Sequence, residues 1–280
     1  MSEEITNATA GLRSFRRETA HGTFATLEST APADAPLLVL LHSTGTSKRM
    51  FNQVIPALPH LRCVAVDVLG HGESDRPGHE FTIPDHARAI ADLITQLRRQ
   101  DEPVLLAGCS LGAIIAVELA ATTPGLLDGL LLNGCPGWHL ESQRTGRLRT
   151  LSTKLLGSDG LPLPDAEMPG TVVLASAEEH KARQADVAAC GRWLLSTQWA
   201  VAAYDIAARL PKVRTPTTVL IGEHDFLLLT MYTIVEGITD ARLEFLDDAS
   251  HLSPYDNPEG FAASVRRLET RALVSPGRSN

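Results

Sequence analysis

The chain has 280 residues, 44% of them hydrophobic and 21% charged, with a formal net charge of −8. That length buries a sizeable core as one α/β unit or two smaller domains. The acidity argues against a nucleic-acid surface or any other polyanion partner. Cys63, Cys109, Cys135 and Cys190 form no C-x-x-C pair, so no metal site or redox dithiol is expected, and free thiols of this kind suit a reducing compartment. The acidic start Met1-Ser2-Glu3-Glu4 lacks an apolar core, and no apolar run reaches about 18 residues. A cytoplasmic protein without a membrane span is therefore expected.

In chain order, residues 1–12 read as a flexible tail. Residues 13–28 read as two short strands around His21-Gly22. The unbroken apolar run at 36–41 predicts a fully buried strand that ends at His42, and 61–68 predicts another. Residues 84–99 have helical spacing, with Ala87, Ile90, Ala91, Leu93 and Ile94 on one face. Strands are expected at 104–107, 126–132, 218–221 and 243–246. Helices are expected after Ser110, ending near Pro124, and at about 257–272. This alternation implies a mostly parallel sheet covered by helices on both faces. Residues 136–211 break the rhythm: helical segments at about 141–156, 178–195 and 197–209 occur without a convincing strand. That stretch is expected to be a helical cap inserted between two parts of one core, 13–135 and 212–280.

The chemistry begins at Gly108-Cys109-Ser110-Leu111-Gly112, a G-x-S-x-G pattern between a strand and a helix. Five residues with three fixed positions occur by chance, but strand, tight turn and helix together form a nucleophile elbow. Its glycines let the backbones approach while Ser110 presents its hydroxyl, and the Leu111 N–H at the helix start can face an oxyanion. A serine needs a base. His251 follows a strand and precedes the last helix, which puts it at a strand's carboxyl end, where α/β sites are built. His71, His79 and His86 are expected to be solvated near a Gly-rich loop, and His60 and His180 to lie on the surface. An imidazole needs a carboxylate to hold its tautomer. Asp225, after strand 218–221, is the candidate, with Glu223, Asp247 and Asp248 as competitors. A lone Asp after a strand is commonly a helix N-cap, but Ser110, Asp225 and His251 follow in the order associated with this elbow. The second oxyanion donor is expected from loop 42–47, at the Thr44 N–H, with His42 bracing that loop. Cys109 is expected to be buried and unreactive.

By these motifs the chain resembles the α/β-hydrolase superfamily, in its single-domain branch with a helical cap, over about residues 13–272. The resemblance rests on His42-x-x-Gly45, Asp67-Val-Leu-Gly70-His-Gly72-Glu-Ser74, Gly108-Cys-Ser110-Leu-Gly112, Gly222-Glu-His-Asp225 and Ser250-His251. It implies an eight-stranded, mostly parallel sheet and acyl transfer without a cofactor. Ser110 attacks, His251 shuttles the proton and Asp225 orients His251. Family members usually carry His-Gly where this chain has His42-Ser43, so Ser43 is a candidate to bring a hydroxyl to the pocket. The segment Asp67–Ser74 is, by resemblance, a structural loop beside the site. Trp138, Trp193 and Trp199, the chain's 3 tryptophans, all fall in the cap. They either pack it onto the core or line an apolar pocket, for which Trp138, Trp199 and Phe226 are the candidates. The expected reaction is hydrolysis of an ester, lactone or thioester of a small to medium hydrophobic molecule by a monomer or homodimer. The same fold and triad also host C–C bond hydrolysis, lyase or cyclase chemistry, cofactor-free oxygenation and ligand reception.

Overall fold

The structure, a computed structural model, describes residues 3–5, 11–137, 141–166 and 177–274. Its strands in chain order are β1 (Glu3–Ile5), β2 (Leu12–Thr19), β3 (Gly22–Ser29), β4 (Leu37–Leu41), β5 (Arg62–Val66), β6 (Val104–Cys109), β7 (Gly129–Asn133), β8 (Thr217–Gly222) and β9 (Ala241–Leu246). They form one sheet of order β1-β2-β3-β5-β4-β6-β7-β8-β9. Pairing is antiparallel from β1 to β5 and parallel from β5 through β9. The expected eight strands are β2–β9. The addition, β1, corrects the reading of residues 1–12 as a loose tail: Glu3, Glu4 and Ile5 pair with Arg16, Phe15 and Ser14. The reason is that β2 otherwise presents an open row of backbone donors and acceptors.

The helices are α1 (Ile83–Leu97), α2 (Leu111–Thr122), α3 (Glu141–Leu155), α4 (Ala177–Cys190), α5 (Trp193–Ala203), α6 (Met231–Gly237), α7 (Ser253–Asp256) and α8 (Pro258–Val274). Helix α1 starts on a capping box in which the Thr82 hydroxyl accepts from Asp85 N and the Asp85 carboxylate accepts from Thr82 N. Strand alternation sorts the core into two layers. Leu37, Val39 and Leu41 face the layer of α1 and α2, whereas Leu38 and Leu40 face the one that holds Phe51 and Phe261. Each fully buried aliphatic side chain contributes about 2 kcal/mol, which is why the central strands read as unbroken apolar runs. Helix α2 is apolar all round because it lies beneath α1 and over the sheet, and its one carboxylate, Glu118, is buried. The short helices α6 and α7 carry too few periodic residues to be legible in advance.

Between β7 and β8 the described residues form α3, α4 and α5. Leu155, Ala166, Val187, Cys190 and Leu194 give this insertion a small core of its own. It sits on loops at the carboxyl ends of β4 and β5: Trp193 packs against the Gly70 backbone, and Arg76 donates to Ala189 O at 2.8 Å. Its return to the core is anchored where the Tyr204 hydroxyl donates to Glu118 Oε2 at 2.7 Å and Arg209 Nε pairs with the same oxygen at 2.8 Å. No described helix is long and apolar enough to cross a membrane.

Candidate active site

Strand β6 ends at Cys109 and α2 begins at Leu111, so Ser110 alone turns the chain, at φ 52° and ψ −104°. A non-glycine residue there stores about 1–3 kcal/mol. The surroundings hold it: Ser110 N–H donates to Asn133 O at 2.9 Å, and Ile114 N–H donates to Ser110 O at 3.1 Å. The crossing of strand and helix is so close that a Cβ on Gly108 would lie 2.3 Å from Gly112 O. Cys109 is buried and desolvation raises its pKa, which suits an inert thiol.

The turn after β8 is closed by Asp225 N–H donating to Gly222 O at 3.0 Å. The buried Asp225 carboxylate accepts from Leu227 N at 2.8 Å and lies 3.0 and 3.1 Å from His251 Nδ1. A carboxylate can only accept from this partner, so the proton sits on Nδ1 and Nε2 is left as the basic nitrogen. The competitors lie elsewhere: Glu223 and Asp248 are exposed and bound to each other through Asp248 N–H, and Asp247 is exposed. The loop that carries His251 is tied down by Asp256, whose Oδ2 accepts from Ser250 N and Ser250 Oγ. The Phe226 ring stands 4.6 Å from the His251 ring, tilted by 45°.

Asn133, absent from the sequence-based candidates, joins the two halves of this arrangement. Its carbonyl accepts from Ser110 N–H, and its Nδ2 donates to His251 O at 3.3 Å. A polar residue closing the otherwise apolar strand Gly129–Asn133 was the available signal.

Loop 42–47 is buried throughout. His42 Nδ1 donates to Ser43 O at 2.7 Å and Nε2 accepts from Val68 N–H at 3.0 Å. Both ring nitrogens are engaged with backbone and desolvation lowers the pKa, so His42 is a neutral brace. Its own carbonyl accepts from Gly112 N–H at 3.2 Å, which links the loop to the start of α2. First-turn N–H groups of a helix lack intrahelical partners, and Leu111 is the first residue of α2. Ser43 and Thr44 are both buried, and Ser43 O also accepts from Thr46 Oγ1.

The segment Asp67–Ser74 is structural in its contacts. Asp67 accepts from Lys48 N, Lys48 Nζ and Glu73 N, and Ser74 Oγ donates to Asp67 O. Two histidines beside it correct the expectation of solvated side chains: His71 is fully buried and His86 nearly so, whereas His79 is exposed. The helix and strand layers close over them, and desolvation pushes the His71 pKa well down and that of His86 to about 4.

The pocket candidates divide. Phe226 stands beside His251 and is 42% exposed. Trp199 is 58% exposed, on the side of α5 opposite the buried stripe of Trp193, Leu194, Thr197, Gln198 and Val201. Trp138 lies outside the described residues.

Elbow, acid–imidazole pair and braced loop on a mostly parallel sheet define an α/β-hydrolase, and the chain belongs to the alpha/beta hydrolase family, whose model matches residues 38–264. It is 30% identical over 146 residues to an uncharacterized protein of Mycobacterium tuberculosis, a match covering 49% of this chain and 41% of that protein's length. It is 27% identical over 257 residues, 85% of this chain and 86% of the relative, to the 2-hydroxy-6-oxo-6-(2'-aminophenyl)hexa-2,4-dienoic acid hydrolase of Metapseudomonas resinovorans. In fold it is similar to the enol-lactonase of Burkholderia xenovorans LB400, with a TM-score of 0.71, 20% identity, and 91% and 99% of the two chains covered.

Proposed function

We propose that this protein is a serine hydrolase that cleaves an ester, lactone or thioester of a small to medium hydrophobic molecule through an acyl-enzyme. Ser110 Oγ attacks the carbonyl, and His251 Nε2 takes the proton and returns it to the leaving group. Asp225 holds the imidazole tautomer and balances the imidazolium. The Thr44 and Leu111 N–H groups stabilise the oxyanion, each by about 3 kcal/mol. Water, activated by the same imidazole, then releases the acyl group. Residues 136–211 act as a cap that shapes the pocket, with Phe226 as one wall. No cofactor takes part.

The observation that carries this reading is the strained Ser110 backbone at φ 52°, tied through Asn133 to the loop of an imidazole that Asp225 orients at 3.0 Å. Strain of this kind persists only where the surroundings over-determine it. A fluorophosphonate probe tests it: the wild type is expected to be labelled and Ser110→Ala not. An unlabelled wild type would sink the reading. A panel of p-nitrophenyl esters of graded chain length then defines the acyl preference.

The similarity to a dienoic acid hydrolase over 85% of the chain supports a second reading, in which the same triad hydrolyses a C–C bond. Full probe labelling with no turnover of any ester in the panel would favour it.

A further inference from the structure

Ser47, Lys48 and Arg49, directly after the loop that carries Thr44, are held between two buried carboxylates from different layers. On the core side Asp67 accepts from Lys48 N at 2.6 Å and from Lys48 Nζ at 2.8 Å. On the other side stands Asp186 of α4, in the helical insertion. Its Oδ2 accepts from Ser47 Oγ at 2.8 Å and its Oδ1 from Arg49 Nη2 at 2.7 Å. Arg49 Nε also donates to Ser47 Oγ at 3.3 Å. Asp186 and Ser47 are only 2% and 1% exposed.

A carboxylate removed from water needs donors to stay ionised, and burial already pushes Asp186 up. Both donors come from the one tripeptide, so Asp186 ties α4 to that tripeptide, in addition to the contact of Arg76 with Ala189 O. The loop upstream is short. Thr46 N–H and Thr46 Oγ1 both donate to Ser43 O, and Ser43 is pinned by His42. The core alone therefore fixes the upstream end of the loop, whereas its downstream end is fixed jointly by core and insertion.

We infer that Asp186 is a positioning residue: by holding Ser47 it sets the loop that presents the Thr44 N–H, so the oxyanion donor is in place only while the helical insertion is seated on the core. The inference rests on the reading of Ser110 as nucleophile and adds to it a coupling between cap and oxyanion hole. A misplaced donor fails the transition state more than it fails the bound substrate, so the loss belongs in kcat.

The test uses the full chain and three variants, Asp186→Asn, Ser47→Ala and Ser47→Thr, with the phosphonylation rate by a fluorophosphonate and kcat and KM for a short p-nitrophenyl ester as readouts. Asp186→Asn and Ser47→Ala are expected to lose about tenfold in phosphonylation rate and kcat with KM nearly unchanged. Ser47→Thr, which keeps the hydroxyl, is expected to restore both. Ser47→Ala removes only the two hydrogen bonds of the Ser47 hydroxyl, leaves the Asp186–Arg49 pair in place, and decides the matter if Asp186→Asn does not fold. Labelled wild type with folded variants at wild-type rates overturns the inference alone, as does a loss confined to KM or one that Ser47→Thr does not restore. Unlabelled wild type overturns the nucleophile reading and takes this inference with it.

Discussion

Gly134 and His251 share a space that has no room for a side chain: a Cβ on Gly134 would lie 2.8 Å from His251 Nδ1 and 2.8 Å from Asp225 Oδ2. Gly134 also has φ 52°, where an L side chain is strained. Gly134→Ala is therefore expected to push imidazole and carboxylate apart. We expect about a hundredfold loss of kcat/KM on an accepted ester, with a melting temperature only a few degrees lower. Near-normal turnover by a folded Gly134→Ala protein would contradict the proposed triad.

Asp225→Asn tests the same pair electronically. An amide nitrogen facing Nδ1 selects the wrong imidazole tautomer, and kcat should drop by about 10⁴. Circular dichroism should show an intact fold, because Asn retains an acceptor for Leu227 N. A drop of less than tenfold would move the acid role to another carboxylate.

Stability should depend on pH through the buried histidines. His42, His71 and His86 are all lowered by desolvation, His86 to about 4, against about 6.5 in the unfolded chain. Between those values the unfolded state binds more protons, so stability is complete above about pH 6.5 and falls as pH drops. Each such histidine contributes a slope of up to about 1.4 kcal/mol per pH unit. Asp186, raised by burial, acts in the opposite sense but is a single group. Urea midpoints at pH 7.5 and pH 5 measure this, and His86→Phe should flatten the dependence. Equal midpoints for the wild type would refute it.

Glu118 anchors the return of the insertion through Tyr204 and Arg209. Removing the carboxylate strands a buried hydroxyl, so Glu118→Ala is expected to lose about 2 kcal/mol, whereas Tyr204→Phe, which leaves the Arg209 pair, should lose about 1 kcal/mol. Denaturant titration separates the two, and a wild-type midpoint for Glu118→Ala would show the anchor to be idle.

The cysteines offer a simple check on the core. All four free thiols are buried, and desolvation raises Cys63 and Cys190 to about 12. A thiol reagent such as DTNB should leave them unreacted in native protein and titrate four after unfolding. Rapid native reaction would mean that one of these layers opens.

Much of the fold was legible in the amino-acid order because its signals are local. Buried parallel strands are apolar runs, an elbow needs small residues at fixed positions, and Ser110, Asp225 and His251 each follow a recognisable strand. The errors share a cause. Residues 3–5 carry no strand signal of their own and become β1 only because β2 has an open edge. His71 and His86 lie in Gly- and Pro-rich surroundings that suggest solvent, but packing of α1 and the 67–76 loop buries them. The seven-residue α6 and four-residue α7 are too short to show a period.

The sequence by itself determined the class of fold and the chain order of the candidate serine, acid and histidine, since backbone geometry and apolar periodicity are written within a few neighbouring residues. Only the tertiary structure decided which carboxylate reaches His251, that Asn133 bridges it to Ser110, and that Asp186 grips Ser47 from 139 positions away. The physical reason is that a polar side chain's role depends on whether water remains around it, and that follows from which distant segments pack against it.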